Sequence, residues 1–151
     1  MIRSSLIYVE KDGQYLMLHR VRKQADPNKG KWLGVGGKFE KGETPEQCAA
    51  REMWEETGLT AEELRFRAVV RFRSDVCEDE DMYLFTCTAF SGEMHDCDEG
   101  ELKWVPKEDV MSLNLWEGDR VFLELLAKDE PYFELNLTYR GDTLIKSERT
   151  K

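Results

Sequence analysis

Residues 51–59, REMWEETGL, carry three glutamates on one side of a predicted helix. Glu52 precedes Glu55 and Glu56 by three and four residues, the spacing at which like charges on a helix repel each other. Gly58 is typical of the residue that ends a helix, so all three acids lie in the half where the macrodipole disfavours negative charge. Each repelling pair costs about 0.2–0.5 kcal/mol in an isolated helix. A bound cation would relieve that repulsion.

The start of this helix is also marked in the sequence. Thr44 is a suitable N-cap, Pro45 suits the first helical position, and Gln47 would complete a capping box. These signals, with Gly58 at the other end, predict a helix over residues 45–57.

The helical period indicates which way the side chains point. At about 100° per residue, the three glutamates span about 100° of arc on one side. The opposite side is apolar and is predicted to pack on a sheet; it consists of Ala49, Ala50, Met53 and Trp54. The three acids are therefore expected to converge on one outward-facing patch.

Such a patch has two interpretations. Surface helices are often rich in glutamate, so it could be an ordinary solvated face. The preceding loop, however, adds Glu40 and Glu43, and clustered carboxylate oxygens are the ligands that Mg²⁺ prefers. We therefore expect a magnesium site, at which Mn²⁺ could substitute.

The rest of the chain alternates strand and helix patterns. The Asp12–Gly13 turn separates the first two strands, and residues 21–31 form a polar loop. Adjacent glycines at 36 and 37 indicate a bend or a close approach of the backbone. Predicted strands cover residues 4–10, 14–20, 64–72, 81–90, 101–105, 132–139 and 143–148, and a second helix covers about 117–127. This mixture predicts an α/β or α+β layered domain.

Length and charge bound the class of protein. A chain of 151 residues is most simply one domain, residues 1–151. The net charge of −9 argues against nucleic acid polymers and anionic membranes as partners. No apolar run approaches the length of a membrane span, and a cytoplasmic location is expected. The four cysteines include no C-x-x-C pair, so free thiols are favoured over a zinc site.

Residues 37–59, GKFEKGETPEQCAAREMWEETGL, resemble the Nudix box. That pattern is G, five residues, E, seven residues, then R-E-apolar-x-E-E-x-G-apolar. Its required positions are filled by Gly37, Glu43, Arg51, Glu52, Met53, Glu55, Glu56, Gly58 and Leu59. The resemblance implies a mixed β-sheet between helices and Mg²⁺-dependent hydrolysis of a nucleoside diphosphate linked to a further group.

The resemblance also implies roles for residues. Glu52, Glu55 and Glu56 match the family's metal-binding carboxylates, and Glu52 also matches a proposed base, so these two roles stay unseparated. Gly36 and Gly37 would offer backbone ligands and close approach.

Two supporting features follow from the same resemblance. Arg51 and Glu43 are expected to pair and orient the loop against the helix, and so to belong to the catalytic machinery. An additional metal-binding acid from a distant loop would be Glu99 or Glu101, although an ordinary acidic turn is the alternative.

Beyond the box, the segment GKWLGVGGKFEKGET and the C-terminal EPYFELNLTYRGDTLI resemble MutT-type 8-oxo-purine nucleoside triphosphate diphosphatases. These enzymes release a nucleoside monophosphate and pyrophosphate. The residues that match their phosphate- and base-contacting groups are Lys23, Trp32, Lys38, Phe72, Trp116 and Asp119. The aromatic residues among them could instead be plain core. Leu33 departs from the Asn that some relatives use for base recognition, and it cannot hydrogen-bond a purine edge.

Other functions remain open from the sequence. Hydrolases of ADP-ribose or dinucleoside polyphosphates often carry a Pro or Tyr shortly after the box, and residues 72–78, FRSDVCE, contain neither. A non-catalytic nucleotide-binding module would usually have lost box glutamates, and this chain has lost none. The sequence leaves the base, the sugar and the choice between monomer and homodimer open.

Overall fold

The computed structural model describes residues 1–151. Its elements, in chain order, are β1 (Ile2–Lys11), β2 (Gln14–His19), β3 (Trp32–Leu33), β4 (Val35–Lys38), α1 (Pro45–Thr57), β5 (Thr60–Ser74), β6 (Glu80–Ser91), β7 (Glu101–Pro106), α2 (Lys107–Val110), α3 (Glu117–Ala127), β8 (Phe133–Arg140) and β9 (Thr143–Arg149). All the predicted strands and both helices are present. The short elements β3, β4 and α2 were not predicted, because segments of two to four residues show no periodicity.

The strands form one mixed sheet in the order β3-β2-β1-β6-β5-β8-β9, with β4 also paired to β1 and β7 to β2. The β1–β6 and β5–β8 pairs are parallel, whereas β5–β6 and β8–β9 are antiparallel. This arrangement confirms the predicted α+β fold with a mixed sheet.

A helix covers each face of the sheet. Side chains of β1 alternate between two apolar clusters, because successive residues of a strand point to opposite faces. Tyr8 belongs to the cluster that includes Phe122 of α3, and Ile7 belongs to the cluster that includes Ala49 and Met53 of α1. The sheet is thus sandwiched between α1 and α3, as the resemblance implied.

The ends of α1 match the prediction. The Thr44 side chain accepts a hydrogen bond from the Gln47 backbone, and the Gln47 side chain completes the capping box. Gly58 ends the helix in the left-handed conformation, with φ 82°, which costs a glycine little.

The predicted orientation of α1 is wrong in two respects. Trp54 is 57 % exposed, although it was placed on the packing face. Glu56 is only 8 % exposed, although it was expected to point outward. The reason is that β4 offers Glu56 a backbone N–H partner, which lets a carboxylate lie on the buried side of the helix.

The thiols and the helices agree with the expectations from composition. All four cysteines are free, although Cys77 is exposed rather than buried. None of the helices combines the length and the apolar composition that a bilayer crossing requires.

Candidate active site

Glu56 is the most deeply buried of the glutamates of α1. The backbone N–H of Gly36 donates to its Oε1 over 2.8 Å. The pKa of Glu56 is raised to about 8, chiefly by burial and further by the charges of Glu99 and Glu52. The Gly36 N–H and the charge of Arg20 oppose this rise in the pKa without reversing it.

Glu52 approaches the backbone of β4 beside Glu56. A Cβ atom at position 37 would lie 2.5 Å from the Glu52 carboxyl carbon, so a larger residue there would displace this carboxylate. Burial raises the pKa of Glu52, and the charges of Glu55 and Glu99 add to the effect. Gly37 thus makes room for this carboxylate against the sheet.

Arg51 ties the loop before α1 to the acids of the helix. Its Nε and Nη2 donate to the two oxygens of Glu43 over 2.6 and 2.9 Å, which is the predicted pairing. Its Nη1 donates to Glu52 over 2.7 Å and to Glu55 over 3.1 Å. The hydrogen bond from Arg51 holds the pKa of Glu43 at about 2. Arg51 therefore fixes the orientation of Glu52.

Glu99 is the distant acid that faces this cluster. Its charge acts on the pKa of both Glu52 and Glu56, whereas Glu101 has an exposed side chain on β7. The Glu99 carboxylate lies 3.4 Å from Arg20 Nη1 and 3.8 Å from Lys23 Nζ. Lys23, 58 % exposed, is thereby placed beside the acids, where it could reach a phosphate.

The donor set suits a divalent cation, although it is not pre-assembled. No three acidic, histidine or cysteine side chains stand at the spacing of a complete metal-binding set. The three glutamates of α1 range instead from buried Glu56 to Glu55, whose side chain is 50 % exposed. The predicted convergence on one patch is therefore wrong. Mg²⁺ needs few protein carboxylates, because water and substrate phosphates complete its shell. The carboxyl groups of Glu52 and Glu56, whose pKa values are raised by burial and by neighbouring acids, fit such an ion.

A second polar site lies in the first turn of α3. Asp119 is 4 % exposed, and its Oδ2 has no hydrogen-bond partner. The hydroxyl of Tyr8, on the neighbouring strand β1, is also buried and unpartnered. Burial raises the pKa of Asp119 to about 7, while the charges of Lys31 and Arg120 oppose that rise. Because buried polar atoms normally have partners, this pair is suited to a hydrogen-bonding ligand.

Aromatic side chains lie around Asp119. Trp116 donates its Nε1–H to Asn28 over 2.8 Å, and Lys31 Nζ lies 4.7 Å from its ring centre. Tyr139 contacts Trp116 edge-on at 5.8 Å and Phe72 in a stacked arrangement at 6.4 Å. These contacts fix the orientation of Trp116 at the beginning of α3.

The other two predicted substrate-binding residues are placed differently. Trp32 is half-buried and stacks on His19 at 4.2 Å, so one face of its indole is covered. Lys38 has an exposed side chain, and its backbone carbonyl accepts from Arg51 over 3.1 Å.

Sequence reasoning missed four residues of this site: Tyr8, Asn28, Lys31 and Tyr139. The two-residue period of β1 and β8 could have placed both tyrosines on the α3 side of the sheet. The two loop residues carried no such signal, because the loop has no period.

Comparison with known proteins agrees with this geometry. Residues 2–126 match the NUDIX domain family. The zebrafish oxidized purine nucleoside triphosphate hydrolase is 32% identical over 105 residues, which span 68% of this chain and 67% of the relative. An uncharacterised Nudix hydrolase of Bacillus subtilis is 26% identical over 149 residues, spanning 93% and 89%. The crystal structure of the MutT protein from Bacillus halodurans superposes with a TM-score of 0.90 at 26% identity, covering 99% of this chain and 98% of that one.

Proposed function

The chain belongs to the NUDIX domain family and is a Nudix hydrolase, and we propose that it is an Mg²⁺-dependent nucleoside triphosphate diphosphatase. It would release a nucleoside monophosphate and pyrophosphate from an oxidised purine nucleotide such as 8-oxo-dGTP, and so cleanse the nucleotide pool. The observation that carries this proposal is the buried, unpartnered oxygen of Asp119. The names of the zebrafish relative and of the Bacillus halodurans structure support it.

Glu52, Glu56 and Glu99, with Glu55 at the exposed edge, would hold the ion beside the backbone of Gly36 and Gly37. When bound, Mg²⁺ or Mn²⁺ neutralises the polyphosphate and lowers the pKa of a coordinated water. Two carboxylates plus water and phosphate oxygens are enough for such an ion.

The protein groups would then position and deprotonate the attacking water. Glu52, which the resemblance matches to a proposed base as well as to a metal ligand, would accept its proton. Arg51 and Glu43 would hold that carboxylate in line, and Lys23 would contact the phosphate chain. Holding the reacting groups in line is most of what phosphoryl transfer requires of a protein.

Asp119 would hydrogen-bond the purine edge while Trp116 and Phe72 contact the ring. The buried Oδ2 of Asp119 can accept a hydrogen bond from the base, or donate one when the carboxyl is protonated. Leu33 adds no polar group, so the preference for the oxidised base should be modest.

We also propose that the domain extends over residues 1–151. The family match ends at residue 126, but β8 pairs with β5 and β9 pairs with β8. Leu137 of β8 belongs to the core cluster that contains Phe122 of α3.

A nucleotide panel tests the proposal, with products identified as well as rates. We expect 8-oxo-dGTP to give monophosphate and pyrophosphate, only when Mg²⁺ or Mn²⁺ is added. Orthophosphate as the first product, with no contaminating pyrophosphatase, would contradict the diphosphatase assignment. Turnover confined to ADP-ribose or dinucleoside polyphosphates would place the chain in another Nudix subclass, and binding without turnover would indicate a non-catalytic module.

A further inference from the structure

A second polar cavity lies at the other end of α3 from Asp119. Its volume is about 730 Å³, and it opens between the last turn of α3, the β1–β2 hairpin and strands β5 and β6. The lining includes Tyr15, Arg65, Arg67, Thr86, Lys107 and Asp129. None of these residues belongs to the proposed active site.

Strand β5 is irregular directly after Arg67, which shares a face with Arg65 two residues earlier. Phe66 pairs with Phe85 and Ala68 with Leu84, so Arg67 is an extra residue between them. Such a bulge redirects a side chain and is common beside functional sites. The Arg67 side chain is only 5 % exposed, although arginine is almost never fully buried unless it is paired.

The partners of Arg67 are weak for a buried charge. Its Nη1 donates to Thr86 Oγ1 over 3.3 Å, and its Nη2 donates to Asp129 Oδ1 over 3.0 Å and to the Glu130 carbonyl over 3.5 Å. The Asp129 carboxylate is 73 % exposed and is shared with Arg65. A guanidinium has five N–H donors, so Arg67 retains capacity for a further acceptor.

The neighbouring groups favour a ligand of low charge. Tyr15 lines the cavity, and Lys107 Nζ lies 5.0 Å from its ring centre while it pairs with Glu10. Glu63 and Glu108 stand exposed around the same cavity. Their charge would repel a polyphosphate more strongly than a single phosphate or carboxylate group.

We propose that the cavity at Arg67 binds a small oxyanion, and that the Asp129 carboxylate occupies the position that an oxygen of this anion would take. The planar fork of an arginine matches both phosphate and carboxylate oxygens in two-point hydrogen bonds. Asp129 is easily displaced, because its carboxylate is mostly exposed to solvent and exposed ion pairs are weak.

The decisive variant is Asp129→Gly. Glycine adopts the φ of 51° found at this position without strain, so the fold should be kept while the competing carboxylate is removed. Inorganic phosphate is titrated into the metal-free protein, and the Arg67 Nε–Hε resonance is followed by NMR. We expect phosphate to shift this resonance in the wild type and to bind Asp129→Gly about 2-fold to 5-fold more tightly, the value of an exposed ion pair.

Two arginine variants serve as controls. Arg67→Met should abolish phosphate binding. Because this variant lacks the arginine resonance, binding is monitored through the amide resonances of Thr86 and Asp129. Arg65→Met should retain it, because Arg65 contacts the same carboxylate from a side chain that is 58 % exposed. Should Arg67→Met fail to fold, the comparison of Asp129→Gly with the wild type decides alone.

Parallel titrations with acetate distinguish the two sources of oxyanion. Tighter binding of phosphate indicates a phosphate-bearing ligand, and tighter binding of acetate indicates a carboxylate; either result supports the site. The proposal is overturned if neither anion shifts the Arg67 resonance in wild type or Asp129→Gly, or if Asp129→Gly binds no more tightly. These outcomes are independent of nucleotide hydrolysis.

Discussion

Glu56 and Asp119 are two buried carboxyl groups with opposite surroundings. Burial is the main cause of the raised pKa in both, to about 8 and about 7. Around Glu56 the next charges are acidic and raise the pKa further, whereas around Asp119 they are basic and lower it. The first site therefore needs a cation, while the second can stay charged or take a proton according to the ligand. Sites of perturbed pKa often mark function, and the neighbouring charges indicate which function.

The largest effect is expected at the first site. Glu56→Gln should lower kcat/KM for 8-oxo-dGTP at saturating Mg²⁺ by at least about 100-fold. This corresponds to about 2.7 kcal/mol of the several kcal/mol that a catalytic metal ion supplies. The amide keeps the shape and can still accept the Gly36 N–H, so the fold should survive. Steady-state kinetics and circular dichroism together check this.

Glu55→Gln is the matched control for that variant. It removes the same charge from the same helix, but from a side chain that is 50 % exposed and held by Arg51. Its loss of activity should be smaller. Full turnover by Glu56→Gln would rule out the metal-site assignment.

The second site should affect base selection more than turnover. A hydrogen bond to a charged group is worth about 1.5–3 kcal/mol, or about 10-fold to 150-fold in kcat/KM. Asp119→Ala should therefore shrink the ratios of kcat/KM among 8-oxo-dGTP, dGTP and dATP, because the proposed contact of this carboxyl is with the base edge alone.

Trp116→Ala provides the contrast within the same pocket. Stacking on a base is worth about 1–3 kcal/mol and tolerates any base. The value of kcat/KM should therefore fall by a similar factor for all three nucleotides. Unchanged ratios in Asp119→Ala would show that Asp119 does not recognise the base.

The contrast between the two sites also explains which features the sequence could predict. The helix α1 was predictable because its caps and its acid spacing are local. The burial of Glu56 was not, because it depends on a Gly36 N–H donated by a strand of four residues. Asp119 was found by resemblance, but its burial and its unpartnered oxygen depend on the packing of α3 on the sheet.

The surroundings of Arg67 were also not predictable from the sequence. A regular two-residue period in β5 would put Arg67 and Ala68 on opposite faces of the sheet, whereas in the structure both face the α3 side. The bulge that brings them to one face is visible only in the pairing register with β6. Local chemistry can therefore be predicted from the sequence, whereas the partners that change a pKa come from distant segments.

The smallest predicted effect is a pH dependence of stability that separates the two carboxyls. Both have a folded-state pKa above the unfolded values of about 4.3 for Glu and 3.9 for Asp. The folded state then binds more protons than the unfolded state, so stability is fully present below the unfolded pKa and falls as pH rises toward the folded pKa. The loss of stability that is due to Asp119 continues up to a pH of about 7, and the loss that is due to Glu56 continues up to about 8.

In metal-free protein, Asp119→Asn should flatten the fall of Tm below pH 7, and Glu56→Gln should also flatten it between pH 7 and 8. Adding Mg²⁺ at pH 8 should raise Tm in the wild type and in Asp119→Asn, but much less in Glu56→Gln, because only the acid cluster binds the ion. If Glu56→Gln kept the wild-type profile and the wild-type response to Mg²⁺, the assignment of the metal site to Glu56 would be wrong.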